Sequence, residues 1–214
     1  MRMRVLPLLL LACSLALADD PPGSKPENDD TVEYFDLTAH ATHVLYVIDV
    51  SSSMFARYEG EKHRRIERMR EETEKSLRGL KPNQSFAIVL FAKEPRAWKR
   101  SFVRATKEEV EAAVKAVKTV EKVTGTKLWD AIRYSFGLFE TVPDEERGEG
   151  FKPAIFFLTD GWVTQMEQRE IAKGLKPLLE KWKPVLNVVS FVADSPFLES
   201  LAKTNGGKLS CPVK

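Results

Sequence analysis

The sequence predicts an α/β domain with a doubly wound, mostly parallel sheet carrying helices on both faces. Three observations lead there. Apolar runs at His43–Ile48, Ser85–Ala92, Ala154–Leu158 and Val185–Val192 read as strands buried on both sides, as the strands of parallel sheets are. Segments with one apolar face at three- and four-residue spacing separate them, and strands alternating with helices build a parallel sheet with crossovers. The chain has 214 residues, 43% of them hydrophobic, enough for one domain with a proper core.

The N-terminus reads as an export signal over residues 1–18. Met1-Arg2-Met3-Arg4 is basic, Val5 through Leu17 is apolar, and Ala16-Leu17-Ala18 is a small-x-small cleavage site before Asp19. The apolar run is too short for a transmembrane helix, so no transmembrane span is expected. Leu10-Leu11-Ala12-Cys13 also resembles a bacterial lipoprotein box. The alternatives are therefore free export, periplasmic or secreted, and a lipid anchor at Cys13. Cleavage after Ala18 removes Arg2 and Arg4 and leaves 31 basic against 31 acidic residues. Cys211 is then the one cysteine, which excludes an internal disulfide. Residues 19–41 are expected to be a disordered linker, since Asp19 to Asp30 is rich in Pro and Asp and almost free of apolar residues. The domain is expected over 42–214.

The first strand runs from about Thr42 to Asp49. Glu61 to Leu80 is helical, with Ile66, Met69, Thr73, Leu77 and Leu80 on one face. Its arginines, Arg64, Arg65, Arg68 and Arg70, alternate with glutamates and read as a solvated face rather than a phosphate site. Ser85 to Ala92 is the second strand and Trp98 to Val103 the third. The short link Lys93-Glu94-Pro95 demands an antiparallel pair, and Lys99 and Arg100 suit a charged edge. Thr106-Lys107-Glu108-Glu109 is a capping box for a helix whose apolar face is Val110, Ala113, Val114 and Val117. Another helix points Leu128, Ile132, Phe136 and Phe139 inward. Lys152 to Asp160 is the fourth strand. Met166 to Trp182 is helical in parts, interrupted near Gly174 and Pro177. Val185 to Val192 is the fifth strand. Ser195-Pro196 opens the last helix, Gly206-Gly207 ends it, and Lys208 to Cys211 is a final strand.

The stretch that calls for explanation is Val47-Ile48-Asp49-Val50-Ser51-Ser52-Ser53. A buried strand ends in a carboxylate and a run of hydroxyls. Asp49, Ser51 and Ser53 alternate as the chain leaves the strand, which gathers hard oxygens that suit Mg²⁺ better than Zn²⁺. Taken alone, the stretch reads equally well as a serine-rich turn capping a helix. Two other segments bear on the choice. Phe156-Phe157-Leu158-Thr159-Asp160-Gly161 is a second apolar strand ending in a carboxylate. Thr124-Gly125-Thr126-Lys127-Leu128 is a glycine-bearing loop that opens a helix.

Together these segments resemble the von Willebrand factor A-type (VWA) domain and its metal-ion-dependent adhesion site. In that family the site is Asp-x-Ser-x-Ser, a Thr in a Gly-Thr loop and an Asp in a Thr-Asp-Gly loop. The matching positions here are Asp49, Ser51, Ser53, Thr126 and Asp160, with Gly125, Lys127 and Gly161 on the rim. The segment Asp194 to Lys208 looks like the family's last helix and turn. The family loop usually reads Gly-Gly-Thr-Asn; here Thr124 and Lys127 flank Gly125-Thr126. The resemblance implies a Rossmann-like, six-stranded sheet of order 3-2-1-4-5-6 with an antiparallel edge strand. It implies a site for Mg²⁺ or Mn²⁺ in which the three hydroxyls contact the ion and the two carboxylates act largely through water. Ligands of such sheets sit where strand order reverses, between the strands ending in Asp49 and Asp160.

The first functional expectation is a metal-dependent protein-binding or adhesion module that captures an Asp or Glu of a protein partner. The second is a metal-assisted hydrolase using the same ion. The third is a VWA scaffold with no metal-dependent ligand. Among the histidines, His43 begins the first strand, about 20 Å from its other end, His40 precedes it, and His63 follows the metal loop. No Ser-His-Asp or Cys-His pattern is visible, so the chain is expected not to be an enzyme. Balanced charge, and the lack of a fold signature around the basic and aromatic Trp98 segment, leave no case for nucleic acid.

Overall fold

A computed structural model of the chain describes residues 30–60, 62–161, 163–191 and 195–212. The expected export signal at 1–18, Cys13, the linker residues 19–29 and Asp194 lie outside the described residues.

The first described elements correct the expected linker. Strands β1 (Thr31–Tyr34) and β2 (Leu37–His40) form an antiparallel hairpin. Val32, Tyr34, Leu37 and Ala39 are buried, and the Tyr34 hydroxyl lies 2.9 Å from Thr73 Oγ1. Phe35 turns the hairpin at a left-handed φ of 51° while its ring packs edge-on against Phe191. Each strand has only four residues, so its two-residue period is too brief to stand out beside the acidic stretch before it. What orders it is the apolar surface it covers, worth about 2 kcal/mol for an aromatic side chain such as Tyr34.

Strand β3 (His43–Asp49) is buried along its length. Val44, Tyr46 and Ile48 face one core; Leu45 and Val47 face the other. Helix α1 (Arg65–Gly79) starts four residues later than expected. Arg64 is its N-cap, with the Arg64 N–H donating to Glu67 Oε2 at 3.0 Å. Strand β4 (Ser85–Phe91) pairs in parallel with β3. The expected third strand over 98–103 is instead two short pieces, β5 (Pro95–Ala97) and β6 (Val103–Arg104), both antiparallel to β4. The polar Lys99-Arg100-Ser101 leaves the ladder between them, and Trp98 stacks on Phe86 with ring centroids 5.8 Å apart.

Helix α2 (Lys107–Lys118) is capped by Thr106, whose Oγ1 accepts from the Glu109 N–H. The reciprocal half of the expected capping box is replaced: the Glu109 carboxylate accepts from Lys99 Nζ at 2.6 Å. Helix α3 (Leu128–Leu138) buries Leu128, Ile132 and Phe136 as expected, and Phe139 is buried in the following 3-10 turn. Strand β7 (Pro153–Thr159) is followed by α4 (Gln165–Trp182), which is continuous through Gly174 and Pro177. Gly174 is not a break but a contact, since a Cβ there would lie 2.3 Å from the Trp129 ring. A capping box does occur at α4, between Thr164 and Glu167. Strand β8 (Val185–Ser190), helix α5 (Pro196–Lys203) and strand β9 (Leu209–Ser210) complete the chain. Ser195 caps α5 through the Leu198 N–H. Gly207 lies so near β8 that a Cβ would meet Leu186 O at 2.0 Å.

Among the described residues the main sheet has seven strands in the order β5-β4-β3-β7-β8-β9, with β6 also on β4. Counting β5 and β6 as one broken edge strand restores the expected 3-2-1-4-5-6. The hairpin, α1 and α2 cover one face of the sheet; α3, α4 and α5 cover the other. No helix among the described residues is long and apolar enough to cross a membrane.

Candidate metal centre

Strands β3 and β7 are parallel neighbours, with Ile48 opposite Leu158. Asp49 and Asp160 therefore leave the sheet side by side at its C-terminal edge, on either side of the point where strand order reverses. After β3 the chain turns at once into a 3-10 segment, Ser52–Phe55, with Met54 anchoring it in the core. The turn is held by Asp49 itself, whose Oδ1 accepts the Ser51 N–H at 2.8 Å.

Asp49 is fully buried. Its Oδ2 accepts from Thr159 Oγ1 at 2.9 Å, and Thr159 Oγ1 in turn accepts the Gly161 N–H at 3.0 Å. Burial pushes the Asp49 carboxyl up to about 6, against the pull of its hydrogen bonds from Ser51 and Thr159. Asp160 is buried as well. Its Oδ1 accepts from Ser53 Oγ at 2.7 Å, and Ser51 Oγ lies 3.0 Å from Ser53 Oγ. The other oxygen, Oδ2, accepts from Arg65 Nη1 at 3.1 Å.

Thr126 arrives from the far loop. The backbone amide of Lys127 donates to Ala92 O at 2.9 Å, tying that loop to the end of β4. Gly125 takes a φ of 91° against Lys93, where a Cβ would sit 3.4 Å from the Lys93 backbone. The Cβ that Gly161 lacks would fall 3.2 Å from Thr126 Cγ2 and 4.0 Å from Asp49 Oδ2. Glycine at 161 thus lets the Thr126 loop close on the Asp49 carboxylate. All five sequence-predicted residues are brought to one place.

The donor set is two carboxylates and three hydroxyls, all hard oxygens, partly buried and drawn from three separate loops. Hydroxyls already linked to a carboxylate are suitably placed to turn their lone pairs on a cation. This chemistry fits a hard divalent ion of the Mg²⁺ kind.

Lys127 is the N-cap residue of α3, and its side chain is exposed, with Nζ 3.9 Å from Asp130. Beside the Thr126 loop lies an open cleft of about 420 Å³, lined by the apolar Val50, Leu90 and Ala92 and by Lys93, Glu94, Arg96 and Val123. The isolated bridge between Ser51 and Val123 joins its wall to the Asp49 turn.

Two residues at the site were not assigned from sequence. Thr159 lies inside the Thr-Asp-Gly motif, and its signal was there to be read. Arg65, Arg68 and Arg70 are drawn out of the solvated face expected for them, whereas Arg64 stays solvated beside a glutamate of its own helix. Arg65 pairs with Asp160, Arg64 with Glu67, Arg68 Nη1 with Pro212 O, and Arg70 with Val120 O. His43 begins β3, buried and 3.3 Å from Glu146, and His40 and His63 are exposed.

Comparison with known proteins identifies the family of the fold. Residues 44–162 match the von Willebrand factor type A domain family. The chain is 31% identical over 188 residues to human inter-alpha-trypsin inhibitor heavy chain H4, an alignment covering 85% of this chain and 20% of that protein. It is 29% identical over 181 residues to heavy chain H1 of Mesocricetus auratus, covering 80% of this chain and 18% of the relative. The chain thus spans about a fifth of the length of these relatives. Among solved structures, the minor pilin PilB of Streptococcus sanguinis superposes with a TM-score of 0.60 at 14% identity, covering 80% of this chain and 56% of that one. An aerotolerance-related membrane protein of Bacteroides fragilis gives 0.54 at 16% identity, covering 80% and 91%. At such identities these two show the shared fold.

Proposed function

Taking as premise that the chain belongs to the von Willebrand factor type A domain family, we propose that it is a metal-dependent protein-binding module working at the C-terminal edge of its sheet. The observation that carries the proposal is the convergence of Ser51, Ser53 and Asp160 in one hydrogen-bonded chain beside Asp49 and Thr126. Mg²⁺ or Mn²⁺ would be held by the hydroxyls of Ser51, Ser53 and Thr126, with Asp49 and Asp160 acting largely through water. The ion supplies a positive centre that takes up an external oxygen ligand. The residues of the chain do the rest. Thr159 and the Ser51 amide fix the Asp49 carboxylate, Gly161 makes room for Thr126, and Gly125 sets the loop. The favoured ligand is an Asp or Glu side chain of a protein partner. The adjacent cleft, with its apolar floor and its mixed-charge rim of Lys93, Glu94 and Arg96, suits the residues flanking that carboxylate.

Binding rather than catalysis is the reading we favour, because the oxygens of the cluster bond to one another, to the Ser51 amide, to Thr159 and to Arg65, and none of these is a histidine base or a thiol nucleophile. We place the module outside the cytoplasm on the pattern of residues 1–18, exported freely or anchored through Cys13. N-terminal sequencing that finds Asp19 supports cleavage; an acylated Cys13 establishes the anchor; an intact Met1 in the mature protein rejects both. The functional test is titration of the purified chain with Mg²⁺ and Mn²⁺ by calorimetry, followed by recovery of partners from the extracytoplasmic fraction with and without EDTA. Saturable heat that is lost in Thr126→Ala, with partners released by EDTA, is the expected result. A partner retained equally in EDTA overturns the carboxylate-to-metal reading.

A further inference from the structure

Among the described residues, Arg65 is the cationic side chain set directly on a carboxylate of the candidate site. Its Nη1 lies 3.1 Å from Asp160 Oδ2. The two side chains are 11% and 0% exposed, so solvent screens the pair little. The guanidinium is also held in place. Arg65 is the first residue of α1, beside an N-cap fixed to Glu67, and the Tyr58 ring stacks on its Cζ at 3.7 Å. A guanidinium stays charged at any pH that a folded protein survives. The carboxylate is thus shared: one oxygen faces the hydroxyls of the candidate centre and the other faces a fixed positive charge.

We propose that Arg65 is a built-in counterion that competes with the divalent cation for Asp160 and sets the affinity of the site, so that the ion binds only weakly and the site responds to the free divalent concentration. The inference rests on the metal-site reading above. Its physics is simple. A cation entering beside Ser51 and Ser53 meets the field of Asp160 already half neutralised, and it adds its own repulsion with Arg65 at short range. The pair also turns Asp160 so that Oδ1 faces Ser53. The metal-facing geometry of the carboxylate and its reduced charge therefore have the same origin. Tyr58 works through Arg65: removing the ring takes away one of the contacts that hold the guanidinium against Asp160.

The test is calorimetric titration of the full chain with Mg²⁺, and separately with Mn²⁺, for wild type, Arg65→Gln, Arg65→Lys, Tyr58→Ala and Thr126→Ala. Melting temperatures are measured in EDTA and in saturating Mg²⁺. Arg65→Gln is expected to bind Mg²⁺ about tenfold or more tightly than wild type, and to show a larger rise in melting temperature on adding Mg²⁺. Arg65→Lys, which keeps the charge, stays within about threefold of wild type, and Tyr58→Ala gains a few-fold. Equal or weaker affinity in Arg65→Gln, with binding still lost in Thr126→Ala, overturns the role of Arg65 and leaves the metal site standing. No heat and no melting shift in either wild type or Arg65→Gln overturns both. Should Arg65→Gln fail to fold, Tyr58→Ala decides alone: a gain in affinity supports the proposal and no change overturns it.

Discussion

Strand β3 carries a buried titratable group at each end, and the two ends are built on opposite rules. At the N-terminal edge, His43 sits 3.3 Å from Glu146, which also pairs with Arg104 at 3.2 Å. Beside it, fully buried Gln84 donates to Asp30 O and Ala41 O at 3.1 and 2.7 Å, and its Oε1 accepts the Lys81 N–H. Polar groups here find partners within the chain and fasten the β1–β2 hairpin to the sheet. At the C-terminal edge, Asp49 and Asp160 are buried within one cluster of hydroxyls, with a single guanidinium against one of them. Crowding two carboxylates costs stability. The first edge closes its own hydrogen bonds as scaffold, whereas the second concentrates like charge and is where we propose that a cation binds.

The largest test of this contrast is pH. Burial raises the Asp49 carboxyl from its usual range to about 6. The protonated form is thus favoured by folding. Its contribution is complete below pH ~4 and is lost as pH rises through about 6, a swing of about 3 kcal/mol from the linkage relation. Burial moves His43 the other way, lowering its basicity despite Glu146. The neutral ring is favoured by folding, so its contribution is present above the usual histidine range and is lost on acidification. The two slopes oppose each other in wild type. Denaturation in EDTA from pH 4 to 8 should therefore show a steeper loss toward high pH in His43→Gln, and Asp49→Asn should be the more stable protein near pH 7. Parallel profiles for wild type and Asp49→Asn would contradict the burial account.

Next in size is the loss of metal binding. Thr126→Ala and Asp49→Asn are expected to weaken Mg²⁺ by about 100-fold, roughly 2.7 kcal/mol, while the fold persists. Asparagine is the better probe at 49, because alanine would leave the Ser51 amide and the Thr159 hydroxyl without their acceptor. Gln84→Ala is the matching change at the other edge. It should cost about 2 kcal/mol of stability in urea denaturation and leave Mg²⁺ affinity unchanged, since Ala41 O and the Lys81 N–H lose their Gln84 partner while Asp30 O keeps only the Ala41 N–H. A change in metal affinity there would join two edges that the structure keeps apart.

The smallest effect belongs to Lys127. It is 57% exposed and lies near Asp130. Lys127→Asn should weaken binding of an acidic partner by less than about 1 kcal/mol, and mainly at low ionic strength. An affinity that rises instead, together with Mg²⁺ affinity, would mean that Lys127 repels the ion.

The sequence by itself determined the parallel α/β sheet, the sites of its helices and the five oxygen-bearing residues at the reversal of strand order. Those signals are local. A short β-branched and aromatic run bounded by turn residues reads as a buried strand, and a polar cluster at its end stands out against that background. Three features were decided only by the tertiary structure. The hairpin at 31–40 has strands too short to announce themselves and is ordered by the core it covers. Gly174 looks like a helix break and is instead the place where Trp129 enters. Arg65 belongs by spacing to a solvated face, yet it lies on Asp160, 95 residues away. Contacts at such separation depend on how helices and loops pack around the sheet, and no local pattern encodes them. The candidate residues that follow strand ends were therefore legible in advance, and the guanidinium set against one of them was not.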